Sequence, residues 1–564
     1  MLWNPPYFNI KKISIYIIIL ALLYKFKSFV ENRLDMVFYT KFFYTMEPYA
    51  LLIGFVILLF TFFKFFKLRD FFKSISRKTK LFLIGILFLQ LILLLLFSPF
   101  HDPVRSGGTE YMASSKSMFM EFDYATCVIG SFNDCLFESA PFHVGAYPFS
   151  LQIPFLAFGL EPDLVIAFNF ILTFLLTIIV FLIAQNIFNN EKISILASLL
   201  VIFIRPLIAY STTAEVAIFN IFIIALTFLF MTKYLGDRQN KYLFLFVPTI
   251  CFAAMAKSEN IVLFIVFAIS VIIYNKPFPK LLSLKKLIIP LSIFIILVLC
   301  VSTGFIYKLG EVNDPLLVTG STFDIDYAIE DIPNLIHEFA AGPIFLLIGL
   351  IFAIIYLFKT NKFDKFDKLN LFSTKYSGLL SLLVYSTLMI TFHLLFFQKD
   401  MQRYILPSMV IISIVAAFGL FQLYILVKKH LSTKHLVAIL IIASFIYLIL
   451  MPKTPMNSPN DLSFAYDIGP DDWLIVPNWN DIQMINFVSP DIQVVALFNF
   501  GSNEGMSFLA DLIEDPKVDV YFMESSSCGL TIGITCDFVL DTFYMKVINT
   551  SNNERFYKII SFNT

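Results

Sequence analysis

The chain has 564 residues, 58% of them hydrophobic and only 15% charged, with a formal net charge of zero and a mean hydropathy of +0.80. Soluble domains are about 45–50% apolar, so this composition excludes an ordinary soluble enzyme. With no basic stripe and no zinc-type spacing it also excludes a nucleic-acid binder.

The sequence reads as an α-helical polytopic membrane protein. A bilayer crossing takes about 20 apolar residues in a helix. Runs near that length occupy 13–30, 47–66, 81–97, 163–188, 193–210, 216–231, 242–256, 260–274, 287–306, 337–358, 376–397, 404–427 and 436–451. The first run lacks a small-residue cleavage site and reads as a retained crossing rather than a signal peptide.

After Phe97 comes the longest polar interruption before the C-terminal region, 97–159. It carries Asp102, Glu110, Glu121, Asp123, Asp134 and Glu138 against only Arg105 and Lys116. Carboxylates placed just beyond a membrane helix commonly build a site or gate; a solvated linker is the plain alternative.

Loop charges orient the crossings. Basic linkers hold Lys67, Arg69, Lys73, Arg77, Lys78 and Lys80; Lys233, Arg238 and Lys241; Lys276, Lys280, Lys285 and Lys286; Lys359, Lys362, Lys365 and Lys368; and Lys428, Lys429 and Lys434. All fall on one side if the runs alternate, which makes that side and the N-terminus cytoplasmic. The outer side receives loop 97–159, the acidic loop 310–334 and everything from Pro452 onward. This requires 147–159, with Pro148 and Pro154, to skim the surface or re-enter rather than cross.

Beyond 451 the composition changes. A Pro/Asn/Ser linker at 452–460 precedes short apolar runs at 473–477, 492–498, 518–524 and 556–562, with an amphipathic helix at 508–515. That alternation predicts a small α/β domain. Three parts result: 1–80, two N-terminal crossings with a basic cytoplasmic linker; 81–451, a multi-helix membrane domain with outer loop 98–162; and 452–564, an extracytoplasmic α/β domain.

Cys251 and Cys300 lie in apolar runs and read as buried thiols. Cys127 with Cys135 and Cys528 with Cys536 lack the short spacing of a metal or redox pair. In an oxidising compartment they predict two local disulfides, with two free pairs as the alternative.

Polar residues recur at one membrane edge: Arg205 before Pro206, Thr212 to Glu215, Lys257 to Glu259, and His393, Lys399, Asp400 and Arg403. Any one could snorkel to headgroups. Together they offer acids and bases around one outer pocket. Such a mix suits sugar transfer from a phosphate carrier. Cations stabilise the leaving phosphate, a carboxylate takes the proton of the incoming hydroxyl, and helix grooves hold a lipid tail. A transporter or flippase of a lipid-linked sugar is the rival reading; it calls for internal symmetry or midplane charges, and neither is evident.

Several segments carry a family resemblance. They are Thr109-Glu110-Tyr111-Met112-Ala113-Ser114-Ser115, His143-Val144-Gly145-Ala146-Tyr147-Pro148-Phe149 with Phe158-Gly159, Ser211 to Glu215, Lys257-Ser258-Glu259, and Arg403-Tyr404-Ile405-Leu406-Pro407. Over residues 81–430 the chain resembles the GT-C polytopic membrane glycosyltransferases, especially the protein O-mannosyltransferase and aminoarabinose transferase branch (glycosyltransferase family 39-like). It departs from them in Thr109, where Asp is common, and in Lys257, which replaces Arg.

The resemblance implies an inverting enzyme of the cell membrane. It would pass a sugar from a dolichyl- or undecaprenyl-type polyprenyl phosphate to a protein, glycan or lipid acceptor outside the cytoplasm. It implies Glu110 as base with Asp102 as second candidate. Arg403, Lys257 and Arg105 would bind the donor phosphate, and Glu215, His143 and Tyr111 would position the acceptor or a metal. No cofactor is certain, and a divalent metal ion is left open. A non-catalytic scaffold is another rival. An oligosaccharyl transferase is a third, but its Trp-Trp-Asp signature has only Asp471-Asp472-Trp473 as an approach.

Overall fold

The structure is a computed structural model that describes residues 36–67, 72, 75–98, 108–121, 126–131, 133, 135–139, 145–237, 239–273, 344–360, 374–396, 401–428, 433–450, 468–477, 485, 491–497, 503–524, 536–551 and 554–562. The runs at 13–30 and 287–306 and the loop 310–334 lie outside these residues. Every other run near crossing length contains helix.

In chain order the first helices are α1 (Met36–Phe65), α2 (Arg77–Phe97), α3 (Gly108–Met120), α4 (Ala146–Ser150), α5 (Gln152–Phe158), α6 (Pro162–Phe188), α7 (Glu191–Val201) and α8 (Arg205–Tyr210). Then come α9 (Ala217–Asp237), α10 (Asn240–Ala254), α11 (Val262–Ile273), α12 (Ile344–Thr360), α13 (Thr374–Phe396), α14 (Met401–Val427) and α15 (Thr433–Leu450). Among the described residues, four segments are long and apolar enough to cross a bilayer unaided: Arg77–Phe97, Asp163–Phe188, Ala217–Asp237 and Ile405–Val427. Leu51–Phe65, Asn240–Ala254, Phe345–Tyr356, Gly378–Thr391 and Val437–Leu450 are shorter apolar helices.

One expected crossing is broken. The run 193–210 splits into α7 and α8. Pro206 lacks an amide hydrogen and its ring crowds the carbonyl one turn earlier, which stops an α-helix there. Tighter bonds fill the gap, from Phe203 N to Leu200 O (3.3 Å) and from Ile204 N to Val201 O (3.0 Å).

The helix ends carry local explanations. Ser76 caps α2 by accepting from Thr79 N at 3.3 Å. Glu191, in the first turn of α7, accepts from Ser76 N at 2.6 Å and Ser76 Oγ at 2.7 Å. One carboxylate thus serves two helix N-termini, where negative charge is favoured. Helices α12 and α14 cross through small residues. A Cβ on Gly419 would overlap the Gly349 carbonyl oxygen, and one on Gly349 would overlap that of Ala416. Side-chain-free contacts of this kind let membrane helices approach to backbone distance.

Helices α4 and α5 cover the segment expected to lie on the membrane surface. Both are too short to cross. Phe155 is buried while Leu156 and Phe158 are 77% and 74% exposed, an apolar face suited to lipid. Gly159 ends α5 at φ 91°, ψ 178°, a conformation reserved for glycine.

Beyond the helices, the described strands form one seven-stranded sheet. They are β1 (Thr126–Gly130), β2 (Cys135–Ser139), β3 (Trp473–Val476), β4 (Gln493–Ala496), β5 (Val520–Glu524), β6 (Phe543–Ser551) and β7 (Glu554–Phe562). Their order is β2-β1-β4-β3-β5-β7-β6. The strands β4, β3 and β5 are parallel and the outer pairs antiparallel. Helices α16 (Asn503–Glu514) and α17 (Cys536–Thr542) cover the face that buries Trp473, Ile475, Val495, Phe522 and Val539. Leu474, Val476, Val494 and Met523 face the other way. This is the period-2 alternation that the short apolar runs encode.

Two strands of the sheet come from the loop between α2 and α4. Hairpin β1–β2 pairs antiparallel with β4 through Ile129 opposite Val495 and Gly130 opposite Val494. The acidic loop and the C-terminal strands therefore share one sheet and one side of the membrane helices.

Candidate active site at the sheet-facing rim

The candidate site starts from α3, whose first turn carries Glu110. Nothing of the Glu110 side chain is described, but its neighbour Tyr111 is buried. The Tyr111 ring meets Tyr147 edge-on, with centroids 5.3 Å apart. Tyr147 opens α4, which is fixed in place by Ala146 N donating to Met255 O at 3.0 Å. The second face of the Tyr147 ring packs on Phe219 of α9 at 5.3 Å.

The hub beneath Tyr147 is Asn169 of α6. Its Nδ2 donates to Tyr147 Oη at 2.9 Å, Thr213 O at 2.8 Å and Glu215 O at 2.9 Å. Two amide protons are shared among three oxygens in a fully buried position. A buried polar group without such partners costs about 1–3 kcal/mol, so this amide holds together α4, α6 and the turn 211–215. That turn is buried throughout. It is also pinned to the end of α2, where Ser98 Oγ donates to Ile208 O at 3.0 Å and hydrogen-bonds with Thr212 Oγ1.

Glu215 is itself buried. Its charge bears on Tyr147, whose phenol is pushed well above the ordinary tyrosine value. Burial is the main cause, the Asn169 hydrogen bond opposes it and the Glu215 charge adds to it.

Lys257 lies in the turn after α10, with its Nζ 3.1 Å from Glu259 Oε1. The two side chains are only 10% and 11% exposed, so each charge is neutralised where water is scarce. The turn is anchored to α9 by Asn260, whose Nδ2 donates to Asn220 Oδ1 at 2.6 Å and Ala253 O at 2.7 Å. Because α4 hangs on Met255, the Lys257 turn and the Tyr147 cluster are parts of one rim.

The structure thus brings together Tyr111, Tyr147, Glu215 and the Lys257–Glu259 pair. Arg403 sits in the first turn of α14, with only its backbone described. The same holds for His393 in the last turn of α13. Asp102, Arg105, His143, Lys399 and Asp400 lie outside the described residues. Among the described residues no group of three or more His, Cys, Asp and Glu is placed to hold a metal ion.

Of the cysteines, Cys127 and Cys536 are each disulfide-bonded and Cys251 is a buried free thiol. Cys528 and Cys300 lie outside the described residues, and only the backbone of Cys135 is described, in β2 opposite Gly130.

Sequence reasoning missed Asn169 and Lys116. Asn169 was detectable as an amide in the apolar first half of the run 163–188, well apart from Gln185 and Asn186 at its end, where polar side chains serve as interhelical glue. Lys116 of α3 looked like one more loop charge. It is buried, and its ammonium is pushed down to about 8 by burial, partly offset by the charge of Asp491.

Residues 146–306 match the family model described as dolichyl-phosphate-mannose-protein mannosyltransferase. The matched segment begins at α4 and contains Tyr147, Asn169, Glu215 and Lys257. No curated protein matches the sequence. Among solved structures, the chain is similar to apo ArnT from Cupriavidus metallidurans, with 11% identity and TM-score 0.54 over 86% of this chain and 98% of that one. It is also similar to the same enzyme bound to undecaprenyl phosphate, with 11% identity and TM-score 0.52 over 84% and 97%. The archaeal oligosaccharyltransferase AglB from Archaeoglobus fulgidus, in complex with an inhibitory peptide and a dolichol-phosphate, overlays with TM-score 0.49 at 14% identity, covering 80% and 70%. The likeness to ArnT is one of fold.

Proposed function

We propose that this chain, a membrane protein of the GT-C glycosyltransferase superfamily, transfers a sugar from a polyprenyl-phosphate carrier to an acceptor outside the cytoplasm. The observation that carries the reading is the buried polar rim built on Asn169. Apart from Tyr111, its residues lie within the segment that matches the mannosyltransferase family model. One of the two ArnT structures holds undecaprenyl phosphate, and a carrier of that class suits the apolar helices beneath the rim here.

In this reading Glu110 takes the proton of the acceptor hydroxyl. The acceptor oxygen attacks the anomeric carbon, the bond from that carbon to the phosphate oxygen breaks, and polyprenyl phosphate leaves with the electron pair. One displacement inverts the sugar and needs one base, with no carboxylate nucleophile. Asp102 is the second candidate for that base. Arg403, Lys257 and Arg105 offset the growing phosphate charge. For Lys257 this means exchanging Glu259 for a phosphate oxygen, so donor binding would free a carboxylate at the rim. Glu215, His143 and Tyr111 orient the acceptor. The division into 1–80, 81–451 and 452–564 belongs to the same proposal, with the N-terminus cytoplasmic and the sheet outside the cell membrane.

The rival is a flippase of the same lipid. Reconstituted protein in vesicles loaded with a labelled polyprenyl-phosphate sugar separates the two. Transfer predicts release of free polyprenyl phosphate that depends on an added acceptor. Movement of intact donor between leaflets without release would replace the transferase reading with the flippase.

A further inference from the structure

The sheet does more than extend from the membrane helices. It is built partly from the segment that joins α3 to α4, and the contacts around α3 show what that accomplishes. From Tyr111 to Met118 every residue of α3 is buried, although the helix lies outside the bilayer crossings. On one side α3 rests on the surface helices, where Gln152 Nε2 of α5 donates to Ser115 O at 3.0 Å and to Pro148 O of α4 at 3.0 Å. Another side meets β1.

Strand β1 is in turn zipped to β4. The hairpin turn is tied to the segment preceding β4, since Asn133 Nδ2 donates to Asp491 Oδ1 at 2.6 Å. A weaker bond runs from Gln493 Nε2 to Ser131 Oγ at 3.4 Å. The same Asp491 carboxylate acts on the buried Lys116 ammonium of α3. One exposed acid therefore binds the loop hairpin and exerts its charge on the helix whose first turn carries Glu110.

Burying an ammonium costs stability unless its charge is answered, and an apolar side chain would serve the packing of α3 at that position without the cost. A buried charge held by oppositely charged and polar groups fixes register more sharply than apolar contact does. Register matters here because each residue of a helix advances it by about 1.5 Å, and a misplacement of about 1 Å in a reacting group can cost about 10²-fold in rate.

We propose that the seven-stranded sheet is a positioning part of the active site, holding α3 and its Glu110 in register through hairpin β1–β2, its Asn133–Asp491 bond to the sheet and the buried charge of Lys116 on α3. Lys116, Asp491 and Asn133 are positioning residues and touch no reacting atom. The proposal rests on the transferase reading for its catalytic consequence, while the mechanical link from the sheet to α3 stands apart from it.

The test compares full-length wild type, Lys116→Met, Asp491→Asn and Asp491→Glu in nanodiscs, using a synthetic polyprenyl-phosphate mannose as donor. The expected result is a fall of about tenfold to 10²-fold in kcat for Lys116→Met and Asp491→Asn. KM for the donor should stay within about twofold, because other elements bind its phosphate, and Asp491→Glu should retain most of the rate. Wild-type kcat in both neutral variants overturns the proposal. So does a rate loss that merely follows the loss of folded protein. Hydrogen exchange of residues 111–118 is measured in parallel. Faster exchange in folded Asp491→Asn supports the link, and unchanged exchange sinks it. If wild type itself transfers no sugar, the transferase reading fails, and exchange alone decides whether the sheet holds α3.

Discussion

Replacing Lys116 by Met should stabilise the protein at neutral pH even though it slows the reaction. Burial lowers the Lys116 pKa from 10.5 to about 8. At about 1.4 kcal/mol per pKa unit that displacement is worth about 3 kcal/mol, and water near the amine screens it to about 2 kcal/mol. The sign follows from proton binding. Between about pH 8 and 10.5 the unfolded chain holds the proton that the folded chain has lost, so wild-type stability rises with pH across that window. Below about pH 8 both states are protonated and the full penalty of the buried charge applies. Met keeps the length and apolar stem of the side chain without the charge. Asp491 is exposed, so it remains hydrated when its partner goes. Urea unfolding followed by the fluorescence of Trp473, buried in the central strand β3, reads the sheet directly. Lys116→Met should be more stable than wild type by about 2 kcal/mol at about pH 7, with the gap closing toward pH 10.5. A variant less stable at neutral pH, or a gap that does not change with pH, would refute the reasoning.

Asn169→Leu should cost about 3 kcal/mol or more, because it strips the Thr213 and Glu215 carbonyls and the Tyr147 hydroxyl of a shared donor in a buried place. Thermal unfolding in detergent checks this, with Thr177→Val as a near-neutral control whose lost bond to Thr173 O is a long 3.4 Å. Gly419→Leu should force α12 and α14 apart at a cost of about 3 kcal/mol or more. Gly85→Ala, where a Cβ meets nothing within 4 Å, should gain about 0.5–1 kcal/mol from helix propensity; equal melting temperatures for the two variants would contradict the packing account.

What could be read from the sequence was what local pattern encodes. The runs at 473–477, 492–498, 518–524 and 556–562 became β3, β4, β5 and β7, and 508–515 largely coincides with the second half of α16, because period-2 and period-3.6 alternation survive in short windows. Pro148, Pro154 and the terminal Gly159 marked the two short helices α4 and α5, because proline and glycine punctuate helices locally. The hairpin β1–β2 escaped because its partner, β4, lies far along the chain, and nothing in Thr126–Gly130 announces that pairing. Strand β6 escaped as well; Tyr544, Val547 and Ile548 are exposed, so it lacks a clean apolar face. At the site, the motif segments pointed to Tyr111, Glu215 and Lys257, which the fold gathers at one rim. The residue that joins them, Asn169, is one of three amides in the run 163–188, and its importance comes from carbonyl and hydroxyl partners that only tertiary contact supplies. The charge of Asp491 reaches Lys116 in the same way, through the sheet.

Sugar transfer by base variants in the same membranes tests the proposed chemistry most directly. Wild type, Glu110→Gln, Asp102→Asn and the double variant are given a labelled polyprenyl-phosphate sugar and scored for labelled acceptor and released polyprenyl phosphate. With Glu110 as the base, Glu110→Gln lowers kcat by about 10²–10⁴-fold, with donor binding retained and a smaller effect from Asp102→Asn. Wild-type transfer in the double variant would contradict it.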